Sequence, residues 1–169
     1  QGFLREVTKH CQCIRGALDS HMSRDHSFDF NQIGKHLERA DMSSRILEVT
    51  SLLLSEGRSD LVRKYDGILW TNLLQALSAR QMYLQHIHSR VDGQRVMQFL
   101  LADEHFPGSI GYSLAAIGRR MKYLPDPSQP TQMVNQVRDY VLAQDFKAIP
   151  AEQIHTVMDH LQGEFGKLH

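Results

Sequence analysis

Residues 28 to 54, FDFNQIGKHLERADMSSRILEVTSLLL, repeat their apolar side chains at the period of a helix and show none of the alternation of a strand. A helix of that length is the element the remaining chain must pack around, and it sets the fold class. With Leu37 at zero on the helical wheel, Ile33, Ala40, Ser44 and Leu47 fall to one side of it, and Met42, Ile46, Val49 and Leu53 at roughly 120° to 180°. Gly34, Glu38, Asp41, Arg45 and Glu48 lie between, at roughly 20° to 100°. A polar stripe bounded on both sides by apolar ones is expected to face inward. Buried charges require partners, so Asp41 with Arg45 at i,i+4 and Glu38 with a cation from elsewhere are the expected pairs. On that expectation Glu38→Ala strands a buried cation at a cost of ~3 kcal/mol. Arg39, at roughly 200°, points toward the outer side and serves a different contact.

Helical spacing continues along the chain. Phe3, Leu4, Val7, Cys11, Ile14 and Leu18 predict a core-facing first helix ending near Met22, and Ser23 to Ser27 a break in which Asp25 or Ser27 caps the long helix. Glu56-Gly57 ends that helix, and 57 to 67 reads as a charged loop. Ile68 to about Arg90 forms one helix, and Asp92 caps a short one. Pro107 and Gly108 interrupt, and Ser109 starts another helix reaching about Tyr123. PDPSQPTQ reads as a linker, followed by helices from Gln132 to about Phe146 and from Pro150 to about Phe165. The expected fold is all-α, an up-and-down bundle of six or seven helices. Residues 1 to 124 form its main bundle, and 125 to 169 add two helices to the same domain.

Lys plus Arg equals Asp plus Glu at 19 each, so no basic excess points to nucleic acid. No apolar run approaches the ~18 residues of a membrane span, and no signal-peptide layout is present, so a cytoplasmic protein is expected. Cys11 and Cys13 point about 200° apart on a helix and cannot bridge, which fits buried thiols in a reducing compartment. Glu152-x-x-His155 is one such motif where a helical di-metal cage uses two, and the remaining histidines lack ligand spacing; no metal or cofactor is expected. Neither G-x-x-x-x-G-K-[ST] nor G-x-G-x-x-G occurs. Ser109 follows no nucleophile elbow and reads as a helix cap, at a helix start that can also receive an anion. Arg119, Arg120 and Lys122 suit a helix C-terminus, and Trp70, Phe99, Phe106 and Tyr112 read as packing aromatics. Glu38, Asp41 and Arg45 then form either a structural ion-pair network or the floor of a pocket able to do acid/base work or hold a cation.

GKHLERADMSSRILEV resembles the Glu-Arg motif of the bacterial alpha-E domain family, and WTNLLQALSARQMY and QFLLADEHFPGSIGYSL resemble its next landmarks, in order. The resemblance covers roughly Phe3 to Leu124. By position it carries over Glu38, Arg39, Asp41 and Arg45 as motif residues, with Arg24, Trp70, Phe106, Pro107 and Ser109 as further landmarks. It implies an all-helical accessory or binding module, corresponding to the C-terminal half of a longer family protein. It also implies work beside an ATP-grasp or transglutaminase-like enzyme that makes or modifies an amide-linked product. Two other functions stay open: a catalytic domain with Glu38 or Asp41 as general base, and a structural bundle that forms a homo-oligomer.

Overall fold

The structure, a computed structural model, describes residues 2–56, 60–146, 149 and 151–169. Among these the chain forms eight helices and no strand: α1 (Gly2–His21), α2 (His26–Glu56), α3 (Asp60–Ala76), α4 (Arg80–Ile87), α5 (Gly93–Ala102), α6 (Ile110–Met121), α7 (Ser128–Ala143) and α8 (Ala151–Leu168). The long helix is the spine, as its length requires. α2 packs most extensively against α8 and α6, and α6 in turn against α7 and α5. Leu37, Ala40 and Leu47 of α2 meet a buried cluster that includes Leu114 and Ile117 of α6 and Met158, Leu161 and Phe165 of α8. Each such large side chain contributes ~1.5–3 kcal/mol through burial.

Asp25 begins α2, its Oδ1 accepting from the Ser27 and Phe28 amides at 3.0 and 3.2 Å. Asp92 and Ser109 cap α5 and α6 in the same way, accepting from the Arg95 and Tyr112 amides.

Four elements depart from the sequence expectation. The helix expected over 68 to 90 is two helices, α3 and α4, because Ser78 adopts a left-handed φ of 54°. Ala79 N–H donates to Leu74 O at 2.7 Å and Ser78 N–H to Gln75 O at 3.0 Å, a Schellman ending with serine where glycine is usual. α3 already begins at Asp60, within the stretch expected as a loop, of which 57 to 59 lie outside the described residues. α7 begins at Ser128, inside the expected linker, with Pro130 in its first turn where a missing N–H costs nothing. α1 is a helix, but it has no buried residue and Cys11 and Cys13 are exposed, so the core-facing helix with buried thiols is corrected. Pro150, expected at the start of the last helix, lies outside the described residues.

The connection from α5 to α6 is a tight turn built around Asp103. Asp103 Oδ1 accepts from the His105 and Phe106 amides at 2.8 and 2.7 Å. Its carbonyl accepts from Tyr112 N–H at 3.1 Å and from the Ser109 hydroxyl. Only glycine fits at 111: a Cβ there would lie 2.9 Å from the carbonyl carbon and oxygen of Ala102. The turn stacks Phe106 on Phe99, ring centroids 5.0 Å apart, and brings Pro107 and Gly108 against α2.

Candidate anion-binding cleft

Between α2 and α6 lies a cleft of about 420 Å³. The α2 wall is made by Gln32, Lys35, His36 and Arg39, which the helical period brings to one edge. Tyr112, Ala116, Arg119 and Arg120 of α6 face them, Pro107 closes one end, and Arg24 and Asp19 approach from the α1 side. Five of these side chains are cations.

Their partners are few. Arg39 Nη1 donates to Pro107 O at 2.9 Å, and Ser43 Oγ beside it to Gly108 O at 3.4 Å, tying α2 to the α5–α6 turn. Arg120 Nη1 lies 3.2 Å from Oδ1 of the buried Asp29, whose place in the first turn of α2 also favours negative charge. Arg24 donates to the Asp19 carbonyl and lies over the Phe28 ring, 4.0 Å from its centroid. Asp19 Oδ1 accepts from Gln32 Nε2 at 3.1 Å, and its Oδ2 is 3.8 Å from Lys35 Nζ. Arg119 lies over Tyr112, 5.8 Å from its centroid. Among the described residues the five cations thus face two carboxylates, Asp19 and Asp29, and three positive charges are uncompensated.

His36 registers this excess. Buried at 9% exposure, with Nδ1 shut off from solvent and without a hydrogen-bond partner, its imidazole is pushed down to about 4. Loss of water is the main cause, followed by Arg39, Lys35, Arg119 and Arg120. Burial and the nearby Arg15 likewise lower Arg39, opposed by Tyr112. At neutral pH the cleft therefore offers a neutral imidazole with one N–H and a set of fixed cations. It is equipped to hold negative charge.

Of the six residues expected to bind a ligand, Arg24 and Arg39 line this cleft, and Glu38, Asp41, Arg45 and Ser109 do not; the landmark Pro107 does. The inward-facing polar stripe is corrected. Glu38 is exposed, its side chain 64% accessible, with His169 Nε2 3.4 Å from Oε1. Asp41 and Arg45 pair as expected, Nε to Oδ2 at 2.8 Å, but the arginine is exposed. That carboxylate is the main reason Arg45 is raised above its ordinary value. Glu48 accepts from Gln162 Nε2 at 2.8 Å and meets His155 Nδ1 at 2.6 Å, so the stripe runs along the seam with α8. Arg39, placed on the outer side by the wheel, is half-buried. Ser109 is a buried cap behind the Pro107 wall. Met42 and Val49, expected in the core, are 54% and 57% exposed, and the buried arc of α2 instead passes through Gln32, His36 and Ser43. The side chain of Glu152 lies outside the described residues, leaving His155 with Glu48.

Lys35, His36, Arg119 and Arg120 were missed as site residues. The signal available was His36 and Arg39 continuing the Gln32 edge of α2, together with a second run of cations on α6.

Over residues 1–169 the chain matches the family model Alpha-E, described as a predicted alpha-helical domain with a conserved ER motif. It belongs to the Alpha-E family. No curated protein and no solved structure matches it. Glu38-Arg39 is the one Glu-Arg pair in the sequence of this Alpha-E chain. Adjacent helical positions point about 100° apart, so the two side chains serve different places: Glu38 the solvent-exposed surface near His169, Arg39 the cleft.

Proposed function

We propose that this Alpha-E chain is a binding module that holds an anionic ligand in the α2–α6 cleft and works beside a separate enzyme. The supporting observation is five cations facing two carboxylates around an open cleft, with a buried His36 whose Nδ1 has no partner. Its volume falls within the ~300–1,000 Å³ of small-molecule sites. The companion enzyme is of the ATP-grasp or transglutaminase-like kind implied by the resemblance, and an acidic peptide or a phosphorylated precursor suits both. Catalysis from Glu38 or Asp41 lacks such support, since neither lines the cleft, Glu38 is solvent-exposed and Asp41 is paired with Arg45.

The test is a thermal-shift series with carboxylate and phosphate anions at constant ionic strength. A ligand that binds only the folded state raises the melting temperature with its concentration. At least one anion is expected to do so, and Lys35→Gln with Arg119→Gln to abolish the shift. No shift from any anion ends this reading.

A second reading, association with another chain, is favoured by α1. Its Phe3, Leu4, Val7 and Ile14 lie on one helical face, 42% to 78% exposed. An apolar stripe of this kind marks an interaction surface. A dimer by light scattering, lost in Leu4→Ser/Ile14→Ser, supports homo-oligomerisation, and a monomer at high concentration refutes it.

A further inference from the structure

We infer that the cleft takes its ligand through a phosphate group carrying two or more negative charges, a phosphate monoester or a diphosphate. We infer also that the Asp19 carboxylate of α1 occupies part of that site until such a ligand arrives. This rests on the reading of the chain as an anion-binding module and names its ligand class.

Charge balance is the first argument. Asp29 sits buried against Arg120, and Asp19 reaches Gln32 and Lys35. A single ligand carboxylate compensates one of the three remaining cations. A phosphate monoester carries about two charges near neutral pH, and a diphosphate carries more. Cations held close together without counter-charge repel one another, and Arg39, Lys35, Arg119 and Arg120 add to the burial that holds His36 down. A compact multivalent anion relieves it best.

Geometry is the second. Arg39 stands on α2 and Arg119 on α6, across the cleft from one another. Arg39 spends Nη1 on the Pro107 carbonyl, which fixes its guanidinium while leaving other N–H groups for a ligand. Tetrahedral phosphate oxygens accept from several directions at once, whereas a planar carboxylate suits one guanidinium fork. His36 adds a neutral imidazole to the lining, its Nδ1 turned away from solvent.

Asp19 is the third. An amide N–H and an ammonium group hold its two oxygens, and both donors line the cleft. These are donors a phosphate would also use. Asp19 belongs to α1, a helix that buries no residue in the rest of the chain. The carboxylate therefore stands in for the ligand on an arm with little else to hold it.

Calorimetric titration of the full chain with sodium pyrophosphate, inorganic phosphate and citrate, in metal-free buffer at matched ionic strength, tests both statements. Pyrophosphate is expected to bind about tenfold more tightly than citrate, and Arg119→Gln to weaken it about tenfold, as for loss of a charge-assisted contact. Arg119 is exposed, so the variant should fold, and Arg119→Lys, keeping charge but losing the fork, is expected to fall between. Asp19→Asn removes a competing anion and is expected to tighten pyrophosphate severalfold. Citrate binding as tightly as pyrophosphate would overturn the phosphate class while leaving the anion-binding reading intact. No binding by any of the three would remove both. Unchanged or weaker pyrophosphate binding in Asp19→Asn would overturn the stand-in role.

Discussion

His36→Gln is expected to flatten the acid limb of the protein's stability. In the folded chain the imidazole is held to about 4, against 6.5 when unfolded, by burial and by Arg39, Lys35, Arg119 and Arg120. The unfolded chain therefore binds the proton first. Stability tied to the neutral ring is fully present above about pH 6.5 and is lost as the pH falls toward 4. The gap between the two values corresponds to at most ~3 kcal/mol. Water entering the open cleft screens part of it, leaving ~1–2 kcal/mol. Urea unfolding of wild type and His36→Gln, from about pH 8 to about pH 4, isolates this contribution because other titrating groups are common to both. The difference in stability between the two proteins should be constant above neutral pH and shift by ~1–2 kcal/mol toward pH 4, with the wild type losing more. Parallel curves over the whole range would refute the claim that the surrounding cations and burial keep His36 neutral.

Glu38→Ala is expected to change stability by no more than ~0.5 kcal/mol in denaturant melts, as for an exposed residue; a loss near the ~3 kcal/mol of a broken buried pair would contradict its exposure. Gly111→Ala forces a methyl onto the Ala102 carbonyl. Overpacking of ~1–3 kcal/mol, less a helix-propensity gain of up to ~1 kcal/mol, leaves a net loss of up to ~2 kcal/mol. Calorimetry should show a melting temperature several degrees lower, and an unchanged one would mean that α5 and α6 do not approach so closely. Arg120→Leu leaves Asp29 buried without its partner and is expected to cost ~1–3 kcal/mol. Adding Asp29→Asn should recover part of that in a double-mutant cycle, and additive losses would show that the two do not interact.

The fold was legible because its determinants are local. Helical period located the spine, and Asp25, Asp92 and Ser109 announced helix starts through the hydrogen bonds that only such side chains can accept there. The break at Ser78 was hidden because serine takes a left-handed conformation normally signalled by glycine. The start of α7 was hidden because prolines that forbid a helix interior are compatible with its first turn. The site was harder to read. The wheel of α2 carries an apolar set at Met42 and Val49 that remains at the surface and a polar set at Gln32, His36 and Ser43 that is buried. Sequence period fixes which residues share a face, but a neighbouring helix decides which face is covered. Asp41 and Arg45 were paired correctly from spacing alone, since that contact lies within one helix. Arg39 beside Arg119 and Arg120 depends on how α2 and α6 dock, and no local rule reports it.

The most direct measurement is an NMR titration of the His36 ring nitrogens with and without sodium pyrophosphate. A multivalent anion seated among Arg39, Lys35 and Arg119 should offset the charges that hold the imidazole down. The midpoint is predicted to lie near 4 in the free chain and to rise on adding pyrophosphate, with no rise in Arg119→Gln. A His36 midpoint unmoved by saturating pyrophosphate would contradict an anion site at this cleft.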